Sequence, residues 1–132
     1  MKKIKTTEIG RIGEDEAVRF LKKQGFKILG RNVHISHNEI DVIALLKKQK
    51  IIAFVEVKTR SVDEKLYSAY GTPATAVTKD KQQRTLIAAK SYLRENSKFY
   101  DYQPRFDVFE VYLDKENMRI LKTNYIENAF GV

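Results

Sequence analysis

The chain has no cysteine and no tryptophan, only two prolines and only two histidines. Without cysteine there is no disulfide, no thiolate nucleophile and no cysteine-ligated zinc or iron–sulfur centre. Scarce proline, together with 42% hydrophobic residues, argues for a folded globular chain rather than a disordered one. Long apolar runs are also missing: stretches such as 51–55 are far too short to cross a bilayer. The basic start MKKIK is followed by no apolar segment of the kind a secretory signal needs, so a cytoplasmic protein is expected. At 132 residues the simplest organisation is one domain, 1–132, large enough to bury a core. No phosphate-loop, dinucleotide or serine-nucleophile pattern occurs, and the glycine pair Gly10 and Gly13 falls inside a predicted helix.

Acidic residues are the minority charge, 17 against 25 basic ones, for a formal net charge of +8. Such an excess points to a polyanionic partner, with nucleic acid ahead of an acidic membrane. No long basic helix with a bulky apolar face is present, which argues against the membrane.

Periodicity predicts a helix over 6–24, ended by Gly25, with Ile9, Gly13, Ala17, Phe20 and Leu21 on one stripe. Glu14 lies at the edge of that stripe, where, taken alone, a boundary residue paired with a nearby Lys or Arg is the better explanation. Three strands follow, at 26–35 and on either side of the Lys47–Lys50 turn, with Ser36, His37 and Asn38 turning the first into the second. Residues 61–78 read as mostly loop. Thr78 is placed to cap a second helix over 79–96, with Leu86, Ile87, Ala89 and Leu93 as its inner face. Strands are expected at 105–113 and 118–124, and the tail YIENAF is apolar enough to pack back on the body. The order is α/β: an antiparallel meander, a helical crossover, then two more strands.

Within the central hairpin, "NEIDVIALLKKQKIIAFVEVKTR" places Glu39, Asp41, Glu56 and Lys58 inside two otherwise apolar strands. Closing the turn at 47–50 sets Asp41 opposite Glu56 and Glu39 opposite Lys58, converging on one patch. Like charges facing one another destabilise a hairpin, so the pair needs a counter-charge. Two arrangements supply it: a charge network with Lys58 that caps the hairpin, or a divalent cation. Mg²⁺ (or Mn²⁺) suits the second, since it takes oxygen ligands and few protein carboxylates. A lysine beside it would then stabilise charge on a phosphate. His34 and His37 are expected to face solvent, and Asp107 to pair with Arg105. Lys79, Lys81, Gln82 and Arg84 open the second helix, where cations oppose the macrodipole, a mild cost that phosphate contact would offset, although for each residue alone a solvated face is the better explanation.

Asp41, then Glu56-Val57-Lys58 one strand later, and the helical Glu14 resemble the PD-(D/E)XK nuclease signature. More closely, GEDEA at 13–17, NEIDVIA at 38–44, AFVEVKTR at 53–60, AVTKDKQ at 76–82, RFDV at 105–108 and NAF at 128–130 resemble the YraN family. That family is a set of small, poorly characterised proteins assigned a restriction-endonuclease-like fold, an αβββαβ core. The resemblance implies that Asp41 and Glu56 bind metal, that Lys58 assists, and that Glu14 completes the site. It also implies likeness to archaeal Holliday-junction resolvases. Ile40 stands where the superfamily name has proline, and Asn38 where the family has glycine. The activity so implied is a Mg²⁺-dependent DNA endonuclease; the alternative is a non-catalytic nucleic-acid-binding module on the same fold. The expected partners are DNA and a second copy in a homodimer, with no membrane.

Overall fold

The computed structural model describes residues 6–64 and 77–131. Helix α1 spans Thr6–Lys23, followed by β1 (Lys27–Ile35), β2 (Asn38–Leu46) and β3 (Ile51–Val62). Helix α2 (Lys79–Glu95) leads through one turn of 3₁₀ helix, Ser97–Phe99, to β4 (Gln103–Asp114) and β5 (Ile120–Phe130). The five strands form one sheet in the order β1-β2-β3-β4-β5. Strands β1 to β3 pair antiparallel, β4 joins β3 in parallel, and β5 returns antiparallel. A parallel neighbour cannot be reached by a hairpin, and α2 lies within the crossover that separates β3 from β4. The predicted meander, crossover and strand pair are therefore all present. No helix among the described residues is long and apolar enough to cross a membrane.

Both faces of the sheet are covered, which is why β3 and β4 read as nearly continuous apolar runs rather than alternating ones. Ala53 and Val55 pack with Ala17 and Leu21 of α1, whereas Ile52 and Phe54 pack with Ala88 and Ala89 of α2. Alternate residues of one strand thus build two cores. Helix α1 stops at Gly25, whose φ of 94° lets Gly25 N–H bond Lys22 C=O and Phe26 N–H bond Leu21 C=O. It sits tightly on β3 because Gly13 has no side chain: a Cβ there would fall 1.8 Å from Thr59 Oγ1.

Thr78 caps α2 as predicted, its hydroxyl accepting from Lys81 N–H at 3.1 Å. The inner face of α2 differs from the expectation at one position: Ile87 is 59% exposed, and Thr85 and Ala88 are buried with Ala89. A cluster of leucines and isoleucines at adjacent positions leaves the centre of the apolar arc ambiguous, and close packing on the sheet selects the small side chains. The tail packs back on the body as expected, with Phe130 stacked on Phe106, and it does so as the continuation of β5. Of the segment read as loop, 61–62 extend β3, and 65–76 lie outside the described residues.

The far half of β5 is held by a buried acid. Asp107 has no solvent exposure and accepts from Arg105 Nε and Nη2, each at 3.0 Å, from the Tyr125 hydroxyl, and from Asn128 N–H at 2.8 Å. Asn128 adopts φ 53° where the β4–β5 register slips, turning its N–H toward that carboxylate. The expected Arg105–Asp107 pair is thus one part of a larger network. Asp107→Ala would strand the Arg105 guanidinium, so urea unfolding should show a loss of about 3–5 kcal/mol, the usual cost of breaking a buried pair. Tyr125→Phe, which removes one hydrogen bond, should cost about 1 kcal/mol.

Candidate active site

The β2–β3 ladder runs from Leu46↔Ile51 to Val42↔Val55, the register predicted from the turn. One step further would set Asp41 against Glu56, and there the strands change character. The Asp41 carboxylate, rather than its main chain, meets β3, accepting from Val57 N–H at 2.8 Å. Strand β2 also loses its alternation at this point. Ile40 and Ile43 both belong to the core under α2, with Val42 in the core under α1. On the other side Asn32 of β1, between the pairs Arg31↔Val42 and Val33↔Ile40, has φ 49°. Asn tolerates this left-handed conformation better than most residues, and such irregularities re-aim side chains. Asp41 is aimed by a local break in two strands.

Glu56 follows as the neighbouring acid. It is 8% exposed and carries two lysines: Lys58 Nζ at 3.6 Å from one carboxylate oxygen and Lys81 Nζ at 3.7 Å from the other. Asp41, Glu14 and Lys58 line a common cleft of about 260 Å³ with Thr59 and Gly10. Burial first, then the charge of Glu56 and, more weakly, Glu14, push the Asp41 carboxyl up to about 7. The Val57 N–H and Lys81 pull the other way without cancelling this. The repulsion expected between the facing carboxylates is present.

Glu39 does not join this group as the extended register suggested. It lines a separate cleft of about 190 Å³ with His37, Lys81 and Arg84, and its strand partner is His34 of β1. The reason is the break at Asp41, which ends the β2–β3 ladder at Val42 before a Glu39–Lys58 pair can form. Glu14 reaches the cleft from α1, with Arg31 Nη2 of β1 at 4.0 Å. Among the four residues expected to meet DNA at the start of α2, Lys79 is exposed and Arg84 pairs with Asp80 at 3.0 Å. Gln82 donates to Val77 C=O at 3.1 Å, and Lys81 turns into the acid cluster. Both histidines are exposed, as expected.

Two members of the site were missed in the sequence. Lys81 read as a phosphate contact because spacing cannot show that α2 starts over β3. Arg31 carried no signal beyond its charge, although Gly-Arg-Asn inside a strand hinted at an irregularity there. Among the described residues no three His, Asp or Glu side chains form a ready ligand set. A cation here would draw two carboxylates, Asp41 and Glu56, from the protein and its other ligands from water and substrate. That division suits Mg²⁺, and the uncompensated charge at Asp41 fits a site that accepts a cation.

A five-stranded mixed sheet with this helix order forms a restriction-endonuclease-like core, and the acid–acid–lysine group stands where β2 and β3 part. Residues 13–111 match the pattern of the uncharacterised protein family UPF0102. A UPF0102 protein of Caldanaerobacter subterraneus is 45% identical over 98% of this chain and 100% of the relative. One from Clostridium perfringens is 42% identical over 94% of each chain, and one from Chloroherpeton thalassium 43% identical over 92% of each. The chain belongs to UPF0102, the YraN family whose motifs it carries.

The raised Asp41 sets a pH dependence with a definite sign. Its carboxyl titrates near 3.8 in the unfolded chain and near 7 in the folded one, so the folded state binds more protons between these values. Its contribution is fully present below about pH 4 and is lost as pH rises through 7. Asp41→Asn keeps an acceptor for Val57 N–H and removes the charge. Without divalent ions it should be more stable than the parent by roughly 2–4 kcal/mol at pH 8, with little difference at pH 4. Urea unfolding at the two pH values reads the difference directly.

Proposed function

We propose that the protein is a divalent-metal-dependent DNA endonuclease that hydrolyses phosphodiester bonds, with branched or damaged DNA as its substrate class. The observation that carries this reading is the Asp41 carboxylate, which opens on a cleft with Lys58 and Glu14 and feels the charge of the buried Glu56, itself held between Lys58 and Lys81. Facing acids destabilise the fold in the absence of a counter-ion, and a hydrolytic site gives that cost a use. Mg²⁺ or Mn²⁺ held by Asp41 and Glu56 would supply Lewis-acid polarisation of a phosphoryl oxygen and a more acidic water.

The remaining roles belong to the chain itself. Val57 N–H fixes one Asp41 oxygen and leaves the carboxylate little freedom to rotate. Lys58, on the same cleft wall, is placed to stabilise negative charge as it builds on the phosphate oxygens while water attacks phosphorus and an alkoxide leaves. Lys81 lies 3.7 Å from the other Glu56 oxygen and helps to orient that carboxylate. Glu14 adds a further acid at the cleft entrance. The net charge of +8 supports a nucleic-acid substrate bound largely through phosphate contacts.

A second reading draws on one specific feature, the bracketing of Glu56 by Lys58 and Lys81, which also fits a purely structural ion cluster or a binding module without catalysis. Cleavage of linear, flapped and four-way DNA with Mg²⁺ or Mn²⁺ separates these. As a nuclease, Asp41→Asn, Glu56→Gln and Lys58→Ala should each lose cleavage by about 100-fold or more while remaining folded. The two carboxylate variants should bind DNA at least as tightly as the parent, since each removes a negative charge facing phosphate. Salt-dependent binding with no cleavage of any substrate would establish the binding module. Destabilisation by Lys58→Ala alone, without DNA binding by the parent, would establish the structural cluster.

A further inference from the structure

Gly10 lies inside α1, where glycine is less favourable than alanine because it leaves more backbone freedom to be lost on folding. Its neighbour Gly13 has a reason within the protein, the contact with Thr59. Among the described residues Gly10 has none: a Cβ placed there would meet no heavy atom of theirs within 4 Å. Gly10 also borders two clefts. The acid cleft of Asp41, Lys58 and Glu14 is one. The other, of about 500 Å³, is lined by Arg11, Asp15, Arg31 and Asn32, and the two share Gly10 and Glu14 as a common wall.

The larger cleft sets two arginines, Arg11 and Arg31, beside two acids, Glu14 and Asp15. Arg31 is held at its edge by Asp15, at 2.6 Å, an exposed partner that an incoming phosphate can displace. A guanidinium fixed in this way suits phosphate, which it can grip with two parallel N–H bonds.

We propose that Gly10 is the floor of a channel along which one nucleic-acid strand leaves the acid cleft, its phosphates passing to Arg31 and Arg11. This rests on the nuclease reading and adds the path of the substrate to it. The bare helix backbone at Gly10 lets the sugar–phosphate chain lie against α1, and any side chain there narrows the passage between the clefts. The glycine is thus kept at the expense of the helix.

The test measures melting temperature together with binding of a fluorescein-labelled oligonucleotide, as single strand and duplex, at low salt in EDTA. Gly10→Ala should raise Tm by about 2–4 °C and yet weaken binding by about two- to fivefold. Gly10→Leu should weaken it by more than about tenfold. Arg31→Gln should weaken binding by about fivefold and lower the slope of log affinity against log salt by about 1. Asp15→Asn, which releases Arg31, should tighten it. Parent protein that binds while Gly10→Ala and Gly10→Leu, both folded, bind equally well would overturn the channel and leave the nuclease reading standing. Parent protein that binds no oligonucleotide overturns both.

Discussion

Two carboxylates that face each other across a hairpin cannot both be ionised and dry without compensation, and the arrangement around residues 41 and 56 follows from that. Glu56 is compensated: Lys58 and Lys81 take one oxygen each. Asp41 is compensated only by one backbone N–H and, more weakly, by Lys81, and its carboxyl holds its proton to about 7. The asymmetry is informative because the sheet could have buried an apolar residue at 41, as it does at 40, 42 and 43. Instead the β1–β2–β3 ladder is interrupted to present this acid. Asn32 takes a left-handed conformation beside it, and β2 changes face. A local disruption of regular strand pairing gathered around one acid is the pattern expected where a site is built into a sheet.

A second acid shows what full compensation looks like. Asp107 is more deeply buried than Asp41, yet every direction around it is filled by Arg105, Tyr125 or Asn128 N–H. It too lies opposite an Asn with positive φ where strand register slips. The difference is that its environment is closed. Asp107 fastens β5 to β4, and Tyr125, which it holds, packs on Phe20 of α1. The two acids of the same sheet are therefore distinguished by what surrounds them: a complete donor set at Asp107, an open cleft and a neighbouring acid at Asp41.

Most of the fold was legible because its signals are local. The 3.6-residue stripe of α1, the Thr78 cap, the lysine-rich turn at 47–50 and the register it imposes are decided by residues close together in sequence. The misreadings share a different cause. Ile87 looked like core and is exposed, because which part of a broad apolar arc meets the sheet depends on how closely α2 can approach it. The tail does pack back on the body, but the strand expected to end at 124 runs on through it, since its partner β4 lies well earlier in the chain. Glu39 left the acid group because the ladder breaks at Asp41, an event that involves β1 as well as the hairpin.

The sequence by itself determined the hairpin register that brings Asp41 and Glu56 close enough to interact. Side-chain period and turn length are local properties, and together they leave one register for that hairpin. It also determined that Glu14 would stand at the sheet-facing edge of α1. Only the tertiary structure decided what the acids meet. Lys81 enters the cluster because the crossover brings the start of α2 over β3, and Arg31 reaches Glu14 because β1 lies beside α1. Both contacts join elements apart along the chain whose closeness in space is set by packing. Electrostatic environment depends on distance in space, and no spacing in the sequence encodes it.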